Sequence, residues 1–233
     1  MLTGRDAEVL SSVVKELGAR GVRALAAPAD LTDPPTLAEA VADAEGVFGP
    51  IDVLVNNAGV AGPTGPLWET DEDEWWRTFE VNVRGTAYAC RAVLPGMTAR
   101  RFGRVINIVS EAGRRRWPHA SAYSVSKAAV IKLTENLAGE VRAHGVRVFS
   151  YHPGLLDLGI TGDHLRRHPT GDPWEDLVGD WLLAQRTAGR FTEPERAAGQ
   201  LVRIAAGEAD ELSGGYLTPD CALPAALPGK DCR

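Results

Sequence analysis

Tyr123 and Lys127 stand four residues apart in "YSVSK". On a helix that spacing brings a phenol and an ammonium to the same face. A phenol ionises near pH ~10, and each unit of lowering requires about 1.36 kcal/mol of preference for the phenolate. A fixed cation beside it favours that charged form, so the pair is suited to moving a proton at an oxygen. Taken alone, it is equally an ordinary surface Tyr and Lys. Two further polar residues add to it. Ser110 lies 13 residues before Tyr123, at the end of the strand-like run "GRVINIVS". Asn82 lies where a long helix is expected to bend or break, which frees its amide for water or backbone.

These residues need a scaffold, and the apolar pattern supplies one. Asp6 to Arg20 has a helical stripe (Val9, Leu10, Val13, Val14, Leu17) closed by Gly18 and Gly21. The strand "VRALAA" follows, then a turn, Asp33 as N-cap, two prolines and a second helix. "IDVLVNNAG" reads as a buried strand running into a polar loop. Thr70 and Asp73 form the expected capping pair of the next helix, the one that breaks near Asn82. A long helix over 123–143 has apolar residues on two flanks, Val125, Ala129, Leu133, Leu137 and Val141 on one, Val130 and Ile131 on the other. Burial by the sheet on one side and a partner subunit on the other fits that pattern. "VRVFSYHPG" is a further strand. Alternating short strands and helices predict an α/β fold, a doubly wound parallel sheet whose ligands lie beyond the carboxyl ends of the strands. Asp30, Asn56–Gly59, Ser110 and Pro153–Gly154 all fall at such ends. A single domain over 1–233 is expected, with the polar stretch 155–190 as a loop or lid over the site.

Composition narrows the function. Apolar residues at 44% and charged residues at 24% describe a globular chain. A net charge of −6 argues against a nucleic-acid surface, and "RRFGR" and "GRRRW" read as solvated basic clusters. Cys90, Cys221 and Cys232 have no paired spacing, so neither a disulfide framework nor a metal site is expected, and a reducing cytoplasm suits them. No run approaches the ~18 apolar residues of a membrane span. The five histidines have no metal-ligand spacing on one helical face and read as structural or solvated. "GVAGPTG" resembles a phosphate loop, but no helix is expected to begin within it, so it reads as the continuation of the loop after "NNAG".

The combination of Asp30-Leu31, "NNAG", "VNVRG", Ser110 with the YxxxK spacing, and "HPG" resembles the short-chain dehydrogenase/reductase family, over nearly the whole chain. The resemblance implies a Rossmann-like fold and an NAD(P)(H)-dependent interconversion of a carbonyl and a secondary alcohol. Tyr123 would be the general acid or base, Ser110 would hydrogen-bond the substrate oxygen, Lys127 would lower the Tyr123 pKa and hold the nicotinamide ribose, and Asn82 would hold a water in the proton relay. Asp30 and Leu31 would border the adenine, Asn57, Ala58 and Gly59 would back the cofactor, and Pro153, Gly154 and Leu156 would flank the nicotinamide. The family often has Thr two residues beyond the position of Leu156, where this chain has Leu158; the nearest hydroxyl is Thr161. The partners implied are a small carbonyl or alcohol substrate and further copies of the chain, as a homodimer or homotetramer. The tail "TPDCALPAALPGKDCR" disfavours the fatty-acid-synthesis reductases of the family.

In a dinucleotide fold the ribose-reading residue follows the second strand, ~20 residues after the glycine-rich turn. Arg5, after "LTG", stands at that corner, where a basic side chain favours a 2′-phosphate and hence NADP(H) over NAD(H). Counting back from Arg5 passes residue 1, so a first strand, a TGxxxGxG-type turn and a first helix are expected to be missing in front. Two readings follow. In one the sequence starts late, Met1 standing where such strands carry Val, since a GTG codon serves as Val or as a start. In the other the short chain is a non-enzymatic relative that binds a ligand or a partner.

Overall fold

Asp6 shows how local sequence starts the architecture. Its carboxylate accepts hydrogen bonds from the backbone N–H groups of Glu8 and Val9, both 3.0 Å, and so caps α1 (Ala7–Ala19) immediately after β1 (Leu2–Gly4). The computed structural model describes residues 1–223, so Cys232 and the end of the C-terminal tail lie outside the described residues. The remaining elements are β2 (Ala26–Pro28), α2 (Pro34–Phe48), β3 (Val53–Asn56), α3 (Glu72–Phe79), α4 (Thr86–Arg100), β4 (Gly103–Ile108), α5 (Ser121–Val141), β5 (Val146–Tyr151), α6 (Gly159–Arg167), α7 (Pro173–Thr187), α8 (Pro194–Ala205) and β6 (Tyr216–Leu217). All strand pairs are parallel. This is the Rossmann-like α/β arrangement expected from the alternation of strands and helices.

The sheet is divided. Among the described residues β1 pairs only with β2, while β3, β4, β5 and β6 form a second sheet in that order. One backbone edge of β1 and one of β3 therefore have no strand partner, and both line a cleft of about 850 Å³. Val55, in the middle of β3, is 38% exposed, because β3 is the edge strand of its sheet. The core lies instead under β4 and β5, where Val105, Ile106, Val146, Val148 and Phe149 are fully buried.

Several local expectations shift. β2 begins at Ala26 rather than Val22 and ends at Pro28. Asp71, not Thr70, caps α3, with its carboxylate 2.9 Å from the Glu74 N–H. The helix does not break at Asn82: residues 80–85 widen into a π-turn that joins α3 to α4 without interruption. Such a bulge frees room for a side chain without ending the helix. The two apolar flanks expected of α5 do not divide it: the buried face runs through Ala122, Ser126, Val130, Thr134, Ala138 and Val141, while Val125 is exposed and Leu133 and Leu137 are half-buried. Among the described residues no helix is long and apolar enough to cross a membrane.

A buried polar chain ties the strand ends together. Asn56 donates to Asn107 Oδ1 (2.8 Å), and Asn107 donates to Thr134 Oγ1 (2.8 Å), linking β3, β4 and α5. Replacing Asn107 with Ala leaves a buried Asn56 donor without its acceptor and is expected to cost about 2 kcal/mol. Urea unfolding of the two proteins measures this; a loss below a few tenths of that figure would deny the chain its role.

Candidate active site

The Asn56–Asn107–Thr134 chain fixes the ends of β3 and β4, and the site is built on those ends. Asn82 projects from the π-turn and spends its whole amide on structure. Its Oδ1 accepts from Val60 N–H (2.9 Å), and its Nδ2 donates to Val60 O (3.0 Å) and to Ser126 Oγ (3.0 Å). It therefore clamps the loop after β3 onto α5. Gly59 lies in that clamp. A Cβ there would come 3.1 Å from Asn82 Oδ1 and 3.5 Å from Lys127 Nζ, so a side chain would crowd both. Of the two roles open to Asn82, water or backbone, its side chain takes the backbone.

Ser110 follows β4 in an extended conformation, its Oγ accepting from Ala112 N–H (3.2 Å), and its hydroxyl lies near enough to the Tyr123 phenol to act on its ionisation. Lys127 is 5% exposed and donates to Ile108 O (2.9 Å), with Nζ 5.7 Å from the centre of the Tyr123 ring. The fold thus brings Asn82, Ser110, Tyr123 and Lys127 together at the carboxyl ends of β3 and β4. The electrostatics differ from the simple picture of a cation lowering a phenol. Burial pushes the Tyr123 phenol up, and the nearby Ser110 hydroxyl pulls it part of the way back. Burial pushes Lys127 down to about 8. Desolvation outweighs attraction here because both groups have lost water. One of the three Lys127 N–H donors is held by Ile108, which leaves two for an oxygen-rich ligand.

The cleft between the two sheets meets this site at Asn57, Ala58 and Gly59. At its far end lie Arg5, Asp30 and Leu31. Asp30 Oδ1 accepts from Thr32 N–H (2.8 Å) and Thr32 Oγ1 (2.7 Å), and Arg77 Nη2 is 3.7 Å from Oδ2. These Thr32 hydrogen bonds, with smaller help from the charges of Arg77 and Arg5, hold the carboxyl below its ordinary range. No motif pointed to Arg77, because its place in the cleft depends on how α3 packs against the turn after β2.

Pro153, Gly154 and Leu156 follow β5. Gly154 has φ +88° and abuts the Thr192 side chain, while Thr192 N–H donates to Leu155 O (2.8 Å). Leu155 and Phe191 also form a parallel bridge. Leu158 is 55% exposed and Thr161 lies on α6, so Thr192 is the hydroxyl nearest Gly154, one that motif spacing missed. The stretch 155–190 contains α6 and α7, and α7 meets the loop before α5 through two aromatic pairs. Trp181 packs edge-on against Trp117 (4.4 Å between ring centres), and Trp174 stacks on His119 (4.3 Å). Among the described residues no group of three or more His, Cys, Asp or Glu is placed to hold a metal.

With this geometry in place, a family model described as short chain dehydrogenase matches residues 1–167. The chain belongs to the short-chain dehydrogenase/reductase family. Among curated relatives, the protein named inactive 2-(S)-hydroxypropyl-CoM dehydrogenase 2 of Xanthobacter autotrophicus is 34% identical over 224 residues, covering 96% of this chain and 94% of its own. The cis-4-hydroxycyclohexanecarboxylate dehydrogenase of Sinomonas cyclohexanicum is 32% identical, covering 94% and 84%. Among solved structures, an NAD+-bound xylitol dehydrogenase superposes with a TM-score of 0.83 at 26% identity over 93% of this chain and 86% of its own. An actinorhodin polyketide ketoreductase with NADPH reaches 0.82 at 28% identity, over 93% and 84%. These short-chain dehydrogenase/reductase neighbours carry both forms of the nicotinamide cofactor.

Proposed function

We propose that this chain is an oxidoreductase interconverting a carbonyl and a secondary alcohol, with NADP(H) preferred over NAD(H). The observation that carries the reading is the convergence of Ser110, Tyr123 and Lys127 at the end of β4, with Lys127 buried, held by Ile108 O and 5.7 Å from the centre of the Tyr123 ring. In reduction, the Tyr123 hydroxyl gives its proton to the substrate oxygen as that oxygen gains charge, and Ser110 donates a hydrogen bond to the same atom. In oxidation the proton moves the other way, from the alcohol to the Tyr123 phenolate. The nicotinamide ring supplies or accepts the hydride. Lys127 offers its two remaining donors to the ribose, while Asn82 keeps the loop at Gly59 open for the cofactor's flat face. The stretch 155–190 acts as a cover whose aromatic pairs with Trp117 and His119 form an apolar wall. Assembly as a homodimer or homotetramer uses the half-buried flank of α5 and the adjoining α4, where Leu94, Leu133 and Leu137 line an apolar groove.

The cofactor's two ends fit this chain unequally. The ribose near Lys127 and the adenosine near Asp30, Leu31 and Arg5 meet suitable groups. The pyrophosphate between them needs free N–H groups at a helix N-terminus. At α1 those groups are already bound to the Asp6 carboxylate, and α2 begins with two prolines. That mismatch favours a second reading, a chain that keeps the site but binds ligand without turning it over. NADPH fluorescence titration is expected to show no saturation below about 1 mM, since only weak contacts of roughly 4 kcal/mol in total remain. Micromolar saturation would overturn that expectation. Carbonyl-dependent loss of NADPH absorbance at millimolar cofactor, on a panel of ketones, supports the oxidoreductase reading; its absence across the panel leaves the non-catalytic one.

A further inference from the structure

We infer that Glu111 and Tyr216 are positioning residues for Ser110: together they anchor to β6 the turn that aims the Ser110 hydroxyl at the substrate oxygen. The inference deepens the oxidoreductase reading and rests on it. Ser110 leaves β4 extended, with φ −142° and ψ 152°, and Glu111–Gly113 then wind into a single 3₁₀ turn. The turn closes through Gly113 N–H to Ser110 O (3.0 Å) and Arg114 N–H to Glu111 O (2.9 Å). Its Ala112 N–H donates to Ser110 Oγ (3.2 Å). A serine hydroxyl has one proton to give and two lone pairs. With one lone pair taken up by a fixed N–H, the directions left for the proton are restricted. The placement of the turn therefore decides where Ser110 donates.

So short a turn needs support from outside, and two long-range contacts supply it. Gly113 lies against α5 at the level of Lys127: a Cβ there would come 2.8 Å from Ala128 N and from Lys127 C, an approach only glycine allows. The Glu111 carboxylate reaches β6, 105 residues away in the chain, where the Tyr216 hydroxyl donates to Oε2 (3.0 Å). Its Oε1 accepts from Arg115 Nε. The Arg114 guanidinium lies over the Tyr216 ring, 4.4 Å from its centre, and holds the phenol beside the turn. Burial pushes the Glu111 carboxyl up, but the Tyr216 hydroxyl and Arg115 pull it further down, so Tyr216 donates to a full charge. Both carboxylate oxygens are thus engaged within the protein. That makes Glu111 a support for its neighbour Ser110 rather than a proton donor of its own.

The test is Tyr216→Phe, which removes the hydroxyl and keeps the ring under Arg114. Hydrogen–deuterium exchange at the Ala112 amide should quicken about tenfold in this variant and in Glu111→Ala, while Glu111→Gln, whose amide oxygen still accepts from Tyr216, stays nearer the parent. Unchanged Ala112 exchange in Tyr216→Phe would overturn the anchor whether or not the chain turns over. The second readout is carbonyl-dependent NADPH consumption: kcat should fall about tenfold in Tyr216→Phe with KM for the carbonyl within about threefold of the parent. In a Ser110→Ala background the same substitution should cost less than about twofold, since it acts only through Ser110. An undiminished loss in that background would make Glu111 and Tyr216 general supports of the fold and overturn the positioning role. If Ala112 exchange responds but the parent shows no carbonyl-dependent turnover, the oxidoreductase reading fails and the role in catalysis with it. A failed anchor in an active parent strikes this inference alone.

Discussion

Replacing Tyr123 with Phe is expected to lower carbonyl reduction by about 10³-fold, within the 10²- to 10⁴-fold range of a lost general acid. The ring stays and only the hydroxyl goes, so packing beside Ser110 and Lys127 is retained. Ser110 keeps a hydrogen bond for the substrate oxygen but is too weak an acid to deliver the proton in Tyr123's place. The measurement is carbonyl-dependent NADPH consumption at millimolar cofactor, with 2′,5′-ADP binding as a control that should not move. Turnover within about threefold of the parent would remove Tyr123 from the mechanism. The pH profile gives a second check. Because burial holds the phenol above its ordinary value, Tyr123 remains protonated through neutral and mildly alkaline pH. Reduction, which needs the phenol, should persist there. Alcohol oxidation, which needs the phenolate, should climb as pH rises.

The Lys127→Met protein is expected to be more stable than the parent at pH 7 and less stable near pH 10.5. Lys127 is buried, and its value of about 8 against the ordinary 10.5 corresponds to about 3 kcal/mol of penalty for holding the proton in the folded state. Below pH 8 the folded and unfolded chains both hold the proton, and the parent bears the full penalty. Between about 8 and 10.5 the folded chain releases the proton first, so parent stability rises with pH. Above 10.5 both are neutral and the penalty is gone. The substitution also deletes the hydrogen bond to Ile108 O, worth about 1 kcal/mol. A net gain of about 2 kcal/mol at pH 7 should therefore become a loss of about 1 at the alkaline end. Urea unfolding at a series of pH values reads the difference directly. A constant difference would mean that Lys127 is not desolvated.

Such costs are typical of a working site: a buried lysine weakens the fold and is kept for what it touches. The divided sheet is a cost of another kind. One edge of β1 and one of β3 have no strand partner among the described residues, and Val55 remains 38% exposed. The cleft that results runs from Arg5, Asp30 and Leu31 to Asn57, Ala58 and Gly59, and under the proposed function it is where the cofactor would bind.

Much of this was legible in the chain itself. The 3.6-residue apolar spacing marked α1 and α5, the Asp33 cap and two prolines marked α2, and the short apolar runs marked β3, β4 and β5, although no residue of the α1 stripe is buried. The four-residue step from Tyr123 to Lys127 and the strand-end placement of Ser110 and Asn57–Gly59 followed from the same logic. Boundaries were less legible. Whether Thr70 or Asp71 caps α3, and whether β2 begins at Val22 or Ala26, turns on which backbone groups find partners, and neighbouring residues of similar type compete for each cap.

By itself, the sequence determined the alternation of strands and helices and the identity of the residues at the strand ends, since both are local properties of residue type and spacing. Only the tertiary structure decided the rest. The widening of the helix at Asn82 depends on Val60 and Ser126, which lie 22 and 44 residues away. The depression of Lys127 depends on how completely the fold takes it out of water, and the pairing of Arg77 with Asp30 on the approach of α3 to β2. Hydrogen-bond satisfaction and desolvation are set by neighbours distant in the chain, and no short-range pattern encodes them.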